Sequence, residues 1–244
     1  MCKIFAIYPT DQQELTEFLN QIDDYLTEKL NNDWHCYKIG FNEEDHTNCL
    51  KQAKESSAKF ILFMGHGKSN CLYGSCAKDA SDFITPDAGY ENEQYYKNEY
   101  FIHKDNIGSF CNKIFFSFSC NSNEKGTNSI GRKAIENGVL SFIGFGDIPT
   151  DYIKTNNFSK KAIDLFKGLI TKIIKESLFL AIINNYKVYE LVTLIKILAD
   201  QEMQKLILFS NNRHKKVLVE RLYAFKTDIE IMGNRYEPLI AGSK

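Results

Sequence analysis

The chain has 244 residues, 43 % hydrophobic and 13 % aromatic, and a net charge of −1, the make-up of an ordinary globular protein. A chain of this length buries roughly 70–75 % of its unfolded surface, enough for one core and one domain with or without an appendage. No apolar stretch reaches the ~18–20 residues that a membrane span requires; the longest candidate, Ser177 to Ile183, is far too short. No charged region with a small-residue cleavage site precedes the first strand, so no signal peptide is expected.

The seven cysteines are odd in number and show no framework spacing, which points to reduced thiols in a cytoplasmic protein. Cys71 and Cys76 have no companion Cys/His pair, so no zinc or other metal site is expected. Charge is uneven along the chain: residues 1–150 carry a net −7 and residues 151–244 a net +6. Such asymmetry marks a docking surface in some proteins and solvated helix faces in more.

The chain opens on a buried strand, residues 3–8. Pro9-Thr10-Asp11 ends it, and Asp11 with Glu14 has the spacing of a capping box. Leu15, Phe18, Leu19, Ile22, Leu26 and Leu30 then recur at helical spacing. Trp34 to Ile39 is a second strand, Glu43 to Ser57 a more polar helix, and Lys59 to Met64 a third strand. This β-α-β-α-β alternation predicts a parallel sheet with helices on both faces. The stretch from Lys68 to Asn112 breaks the rhythm, with short strands expected at Cys71-Leu72-Tyr73 and Tyr100-Phe101-Ile102 and a short helix from Asp105 to Phe110. A connection this long is functional or locally ordered, and it follows a histidine directly. Lys113 to Ser119 is a fourth strand, Asn128 to Glu136 a helix and Val139 to Phe145 a fifth strand. From about Asn156 the pattern is helical to the end, with apolar stripes on three helices, the last over Lys215 to Met232.

Two segments carry chemistry. Phe60-Ile61-Leu62-Phe63-Met64-Gly65-His66-Gly67 delivers a histidine flanked by glycines, and Ile114-Phe115-Phe116-Ser117-Phe118-Ser119-Cys120 delivers a cysteine. Strands buried on both faces read as continuous apolar runs, and open α/β sheets form sites beyond their carboxyl ends. If the two strands are neighbours, His66 and Cys120 meet at one sheet edge, as a thiol nucleophile and its base require. Backbone N–H groups at Gly67 and Cys120 are candidate oxyanion donors. The helix after Cys120 would favour a thiolate through its dipole if close enough. Taken singly, Gly-His-Gly is as readily a turn, and a cysteine ending a strand a packed thiol.

These residues resemble the caspase-like cysteine proteases (clan CD), and most closely their CHAT-type bacterial branch. Phe63-Met64-Gly65-His66-Gly67 is similar to the family's strand-then-Gly-His-Gly block, and Phe118-Ser119-Cys120-Asn121-Ser122-Asn123-Glu124-Lys125-Gly126 to its Ser-x-Cys-Asn-x-Gly block. Gly138-Val139-Leu140-Ser141-Phe142-Ile143-Gly144 looks like the segment that follows. The 54 positions between His66 and Cys120 are close to the separation of about 50 in caspases. The resemblance covers about residues 3–152. It implies an α/β fold, a three-layer α-β-α sandwich with a mostly parallel sheet and a protease core at 1–152. The tail at 153–244 matches no part of the family, and the apolar stripes on its three helices point to a helical C-terminal region packed on the same domain. The resemblance also implies His66 as base, Cys120 as nucleophile and the Gly67 and Cys120 amides as oxyanion hole. The expected activity is a cysteine endopeptidase with a limited protein or peptide target, in bacterial cell-death or antiphage signalling, with an activating protein partner.

The chain departs from the family in places. The Gln-Ala-Cys-x-Gly signature of caspases is absent, so no preference for aspartate is implied. The glycine expected soon after the cysteine comes late, at Gly126, and no third triad member is evident. Asp147, just beyond the fifth strand, is a candidate pocket acid for a basic substrate residue, or else a turn or cap residue. His35, His46, His103 and His214 read as core or surface residues. Asp79, Asp82, Asp87, Glu91 and Glu93 would form a solvated acidic loop or hold a regulatory cation, and Tyr90, Tyr95, Tyr96 and Tyr100 would pack that loop or grip a peptide. A catalytically silent scaffold of the same fold is the alternative. A nucleotide-binding protein ranks last, since Tyr8-Pro9-Thr10-Asp11 offers no phosphate-binding glycine. Neither a nucleic-acid partner nor a cofactor is expected.

Overall fold

A computed structural model describes residues 2–10, 17–75, 100–150 and 159–240. Its centre is a six-stranded sheet in the order β2-β1-β3-β7-β8-β9. Strands β1 (Ile4–Pro9), β2 (Trp34–Ile39), β3 (Phe60–Met64), β7 (Ile114–Phe118) and β8 (Ser141–Gly144) run parallel. Strand β9 (Glu230–Gly233) closes the far edge antiparallel to β8. A separate three-stranded antiparallel sheet, β4 (Gly67–Lys68), β5 (Cys71–Tyr73) and β6 (Tyr100–His103), grows out of the connection after β3.

Successive side chains of a strand face opposite ways, and the core divides accordingly. Ile4, Ala6, Phe60, Leu62, Met64, Ile114, Phe116, Phe118 and Ile143 meet one apolar cluster. It is completed by α1 (Asn20–Leu30), α4 (Lys160–Ile183), α5 (Val188–Phe209) and α6 (Lys215–Thr227). Phe5, Ile7, Ile61, Phe63, Phe115 and Phe142 meet a second cluster with α2 (Glu43–Glu55) and α3 (Ile130–Glu136). Helices therefore cover both faces of a mostly parallel sheet, and the apolar runs of β1, β3 and β7, the last broken only by the buried Ser117, follow from burial on both sides.

Local chemistry sets the helix ends. Asn42 caps α2, its side chain accepting from the Asp45 N–H at 2.8 Å, and Glu43, Glu44 and Asp45 complement the positive end of the helix dipole. Past the carboxyl end of α2, Lys113 donates to the Ser56 and Ala58 carbonyls at 2.6 and 2.8 Å. Ser129 and Ser159 cap α3 and α4.

The C-terminal residues depart from the all-helical expectation. The last helix stops at Thr227 rather than Met232, and Glu230–Gly233 forms β9 on the sheet edge. The C-terminal residues thus supply a strand as well as helices, and α4 packs directly against α1. The helix expected from Asn128 begins at Ile130. The Asp11–Glu14 capping box, Leu15, Cys76 and the acidic and tyrosine-rich stretch 79–99, with the Tyr100 side chain, lie outside the described residues.

Candidate active site

Strands β3 and β7 are neighbours in parallel register, with Met64 level with Phe118. The Gly65 N–H donates to the Phe118 carbonyl at 3.3 Å, carrying the pairing one residue further. His66 and Cys120 each lie two residues beyond that last matched pair, so they leave the sheet at the same level. Cys120 packs against the apolar cluster that α1 and α4 cover. One small cleft, open to solvent, is lined by both His66 and Cys120 together with Phe18, Leu19, Gly65, Phe118, Ser119, Ile148 and Thr150. It lies where the chain order reverses, since β2 and β3 flank β1 on opposite sides, the place where open α/β sheets form their crevices.

A turn fixed by Ser122 holds the cysteine. The buried Ser122 hydroxyl lies 3.2 and 3.0 Å from the Ser117 and Ser119 carbonyls, and it accepts from the Phe145 N–H at 3.0 Å. Asn121 adopts the left-handed conformation, φ 55°, which asparagine tolerates better than most residues, and its N–H donates to the Gly146 carbonyl at 2.9 Å. A side chain at Gly144 would collide with the Ser122 carbonyl, so glycine there lets the cysteine turn sit directly on β8. The Cys120 thiol is half-buried and donates to the Ile148 carbonyl at 3.2 Å. That bond belongs to the neutral thiol.

Gly67 opens the edge strand of the small sheet. The Tyr73 N–H donates to the His66 carbonyl at 3.0 Å, and Gly67 lies opposite Leu72 in the next pair. Hydrogen-bonded and non-hydrogen-bonded pairs alternate in an antiparallel ladder, so the Gly67 N–H points away from β5. A Cβ at Gly67 would lie 2.8 Å from the Ser119 hydroxyl oxygen; glycine lets this backbone approach the cysteine strand.

Other expectations are placed differently. Asp147 is exposed, does not line the cleft, and pairs with Arg221 of α6 at 3.7 Å. The helix after Cys120 starts ten residues later, and its first amide, at Ile130, donates to the Ser69 carbonyl at 2.7 Å. His46 is fully buried in a polar network, while His35 is exposed. The six described cysteines are free thiols. Burial pushes the Cys71 thiol up to about 11 and raises those of Cys36 and Cys49 further. Among the described residues no three His, Cys, Asp or Glu side chains converge to hold a metal, and no helix is long and apolar enough to cross a membrane.

Phe18, Leu19 and Ile148 are cleft residues that sequence reasoning had not assigned to the site. The first two read only as members of a helical stripe, and Ile148 as part of a turn. Their spacing records burial, whereas the tertiary fold decides what they are buried beside. No model of a known protein family matches the chain, and no curated protein matches it.

Proposed function

We propose that the chain is a cysteine endopeptidase of the caspase-like type, with Cys120 as nucleophile and His66 as base. The carrying observation is that His66 and Cys120 leave neighbouring parallel strands at the same level and line one cleft. The fold half of the resemblance is supported by the mostly parallel sheet between two helical layers.

In this reading the Cys120 proton passes to His66 and the thiolate attacks a peptide carbonyl carbon. The developing oxyanion is met by the Gly67 N–H, which the small sheet leaves pointing away from its own ladder, and by the Cys120 N–H. His66 then protonates the leaving amine. Water, deprotonated by His66, releases the acyl group and restores the thiol. The Ile148 hydrogen bond fits a latent form, because the thiol must leave that carbonyl before it can ionise. Latency agrees with the partner-activated role in bacterial cell-death or antiphage signalling that the resemblance implies.

The same bond is also the observation that favours a second reading, a catalytically silent scaffold whose Cys120 stays protonated. Intact-mass analysis after exposure to peptide electrophiles separates the two, with wild type, Cys120→Ala and His66→Ala run side by side. Catalysis predicts one adduct mapped to Cys120, formed ~10²–10⁴-fold more slowly without His66. Adduct formation indifferent to His66 would favour the scaffold.

A further inference from the structure

The helical hairpin of α5 and α6 ends in a tip that is both apolar and cationic. Ile207, Leu208 and Phe209 are the last residues of α5 and are 55, 68 and 83 % exposed. Successive helical residues point about 100° apart, so three in a row spread apolar surface around most of the final turn. The charge beside them has one sign. From Met203 to Val219 the chain carries Lys205, Arg213, Lys215 and Lys216 and no acidic residue. Lys205 pairs with Glu202. Arg213, Lys215 and Lys216 are exposed; the Arg213 Nε faces the His214 Nε2 at 3.0 Å, and the Lys215 ammonium reaches the Ser210 carbonyl at 3.5 Å. Among the described residues no carboxylate pairs with these three cations. A partner groove would touch one side of a helix, whereas here the apolar surface encircles its end with cations alongside. That arrangement suits a lipid interface, in which apolar side chains are surrounded by the acyl boundary and cations meet anionic headgroups.

We propose that the α5–α6 tip docks the protein on an anionic membrane surface, with Ile207, Leu208 and Phe209 entering the interface and Arg213, Lys215 and Lys216 contacting headgroups. The association is peripheral and stands independently of the Cys120–His66 reading.

The test is co-sedimentation of the full chain with two kinds of vesicle, one of neutral phosphatidylcholine and one of phosphatidylcholine mixed in equal parts with anionic phosphatidylglycerol. The chain is expected to pellet with the anionic vesicles and to be released by added salt, which screens exposed charges. Replacing Arg213, Lys215 and Lys216 together by Gln should weaken binding about 10²-fold, at roughly fivefold for each cation. Ile207→Ser, Leu208→Ser and Phe209→Ser combined should abolish it with the circular dichroism unchanged, because these side chains are exposed rather than packed. Phe209→Trp supplies a direct reading of insertion: its fluorescence should be quenched by brominated lipid, while that of the buried Trp34 should not. No pelleting with anionic vesicles, equal pelleting with both kinds, or binding that survives either triple variant undiminished overturns the proposal. An unquenched Trp at position 209 in the pelleted protein overturns insertion of the tip. A chain that ignores vesicles but self-associates, and loses that self-association in the triple Ser variant, overturns the membrane in favour of a second copy.

Discussion

Ser122 carries more of the site than its distance from the chemistry suggests. Its hydroxyl bridges the end of β7 to Phe145 at the end of β8, and it is fully buried. Ser122→Ala leaves the Phe145 N–H without this acceptor and is expected to cost about 1–3 kcal/mol, read as a lower urea midpoint, with slower Cys120 alkylation. His46 makes a second prediction. Its Nε2 accepts from the Ser75 N–H at 3.0 Å, so the proton sits on Nδ1, which donates to the Asn42 carbonyl at 2.7 Å. The Ser75 hydroxyl donates in turn to the Ile39 carbonyl at 2.7 Å and accepts from the Thr10 N–H at 3.1 Å. Burial drives the imidazole pKa down to about 4, against an ordinary value near 6.5. Between those values the unfolded chain binds a proton that the folded one refuses, so this contribution to stability is full above about 6.5 and lost as pH falls toward 4. The difference in unfolding free energy between wild type and His46→Leu should therefore shrink across that window in urea titrations. A constant difference would show that the imidazole does not titrate as its burial demands.

At the scale of elements, α6 reaches the site from behind. Phe225 stacks on Phe145 at 5.4 Å between ring centres and meets Phe118 and Phe166 edge-on at 6.4 and 6.5 Å. Phe225→Ala should cost about 3–5 kcal/mol, seen in chemical denaturation, and should also slow alkylation of Cys120, because Phe118 and Phe145 flank its turn. Strand β9 shows why element type was misread there. Leu218, Leu222, Phe225, Ile229 and Met232 follow one another at three- and four-residue steps, so the helical spacing runs on in the sequence to Met232. The open edge of β8 decides otherwise: Ile231 and Met232 pair with Ile143 and Phe142, and edge pairing outweighs local periodicity. The other main strands were legible because each is a short apolar run bounded by polar or glycine residues. The small sheet was less so, its first strand being two residues long.

For the whole molecule, one apolar cluster joins the sheet to α1, α4, α5 and α6, so residues 159–240 and the sheet should unfold together. Ion pairs cross the same boundary, from Lys59 to Glu237 at 2.5 Å and from Lys125 to Glu230 at 3.0 Å. Fluorescence of Trp34, the sole tryptophan, whose indole donates to Asp23 at 2.9 Å, should report the same urea midpoint as helical circular dichroism. Separated midpoints would mean that the helices dock as an independent unit. The polarity of these contacts is mixed: in these two pairs the N-terminal partner is the base, whereas in Asp147–Arg221 it is the acid, in keeping with the charge asymmetry of the two parts.

By itself the sequence determined the parallel α/β alternation, the buried strands and the two reactive residues at their ends, because burial on both faces and helical periodicity are written in short-range patterns. Only the tertiary structure decided that β3 and β7 are neighbours in a register that levels His66 with Cys120, that Asp147 turns away to Arg221, and that Phe18 and Ile148 wall the cleft. Those are contacts between segments tens of residues apart, and no local pattern encodes which apolar face will meet which.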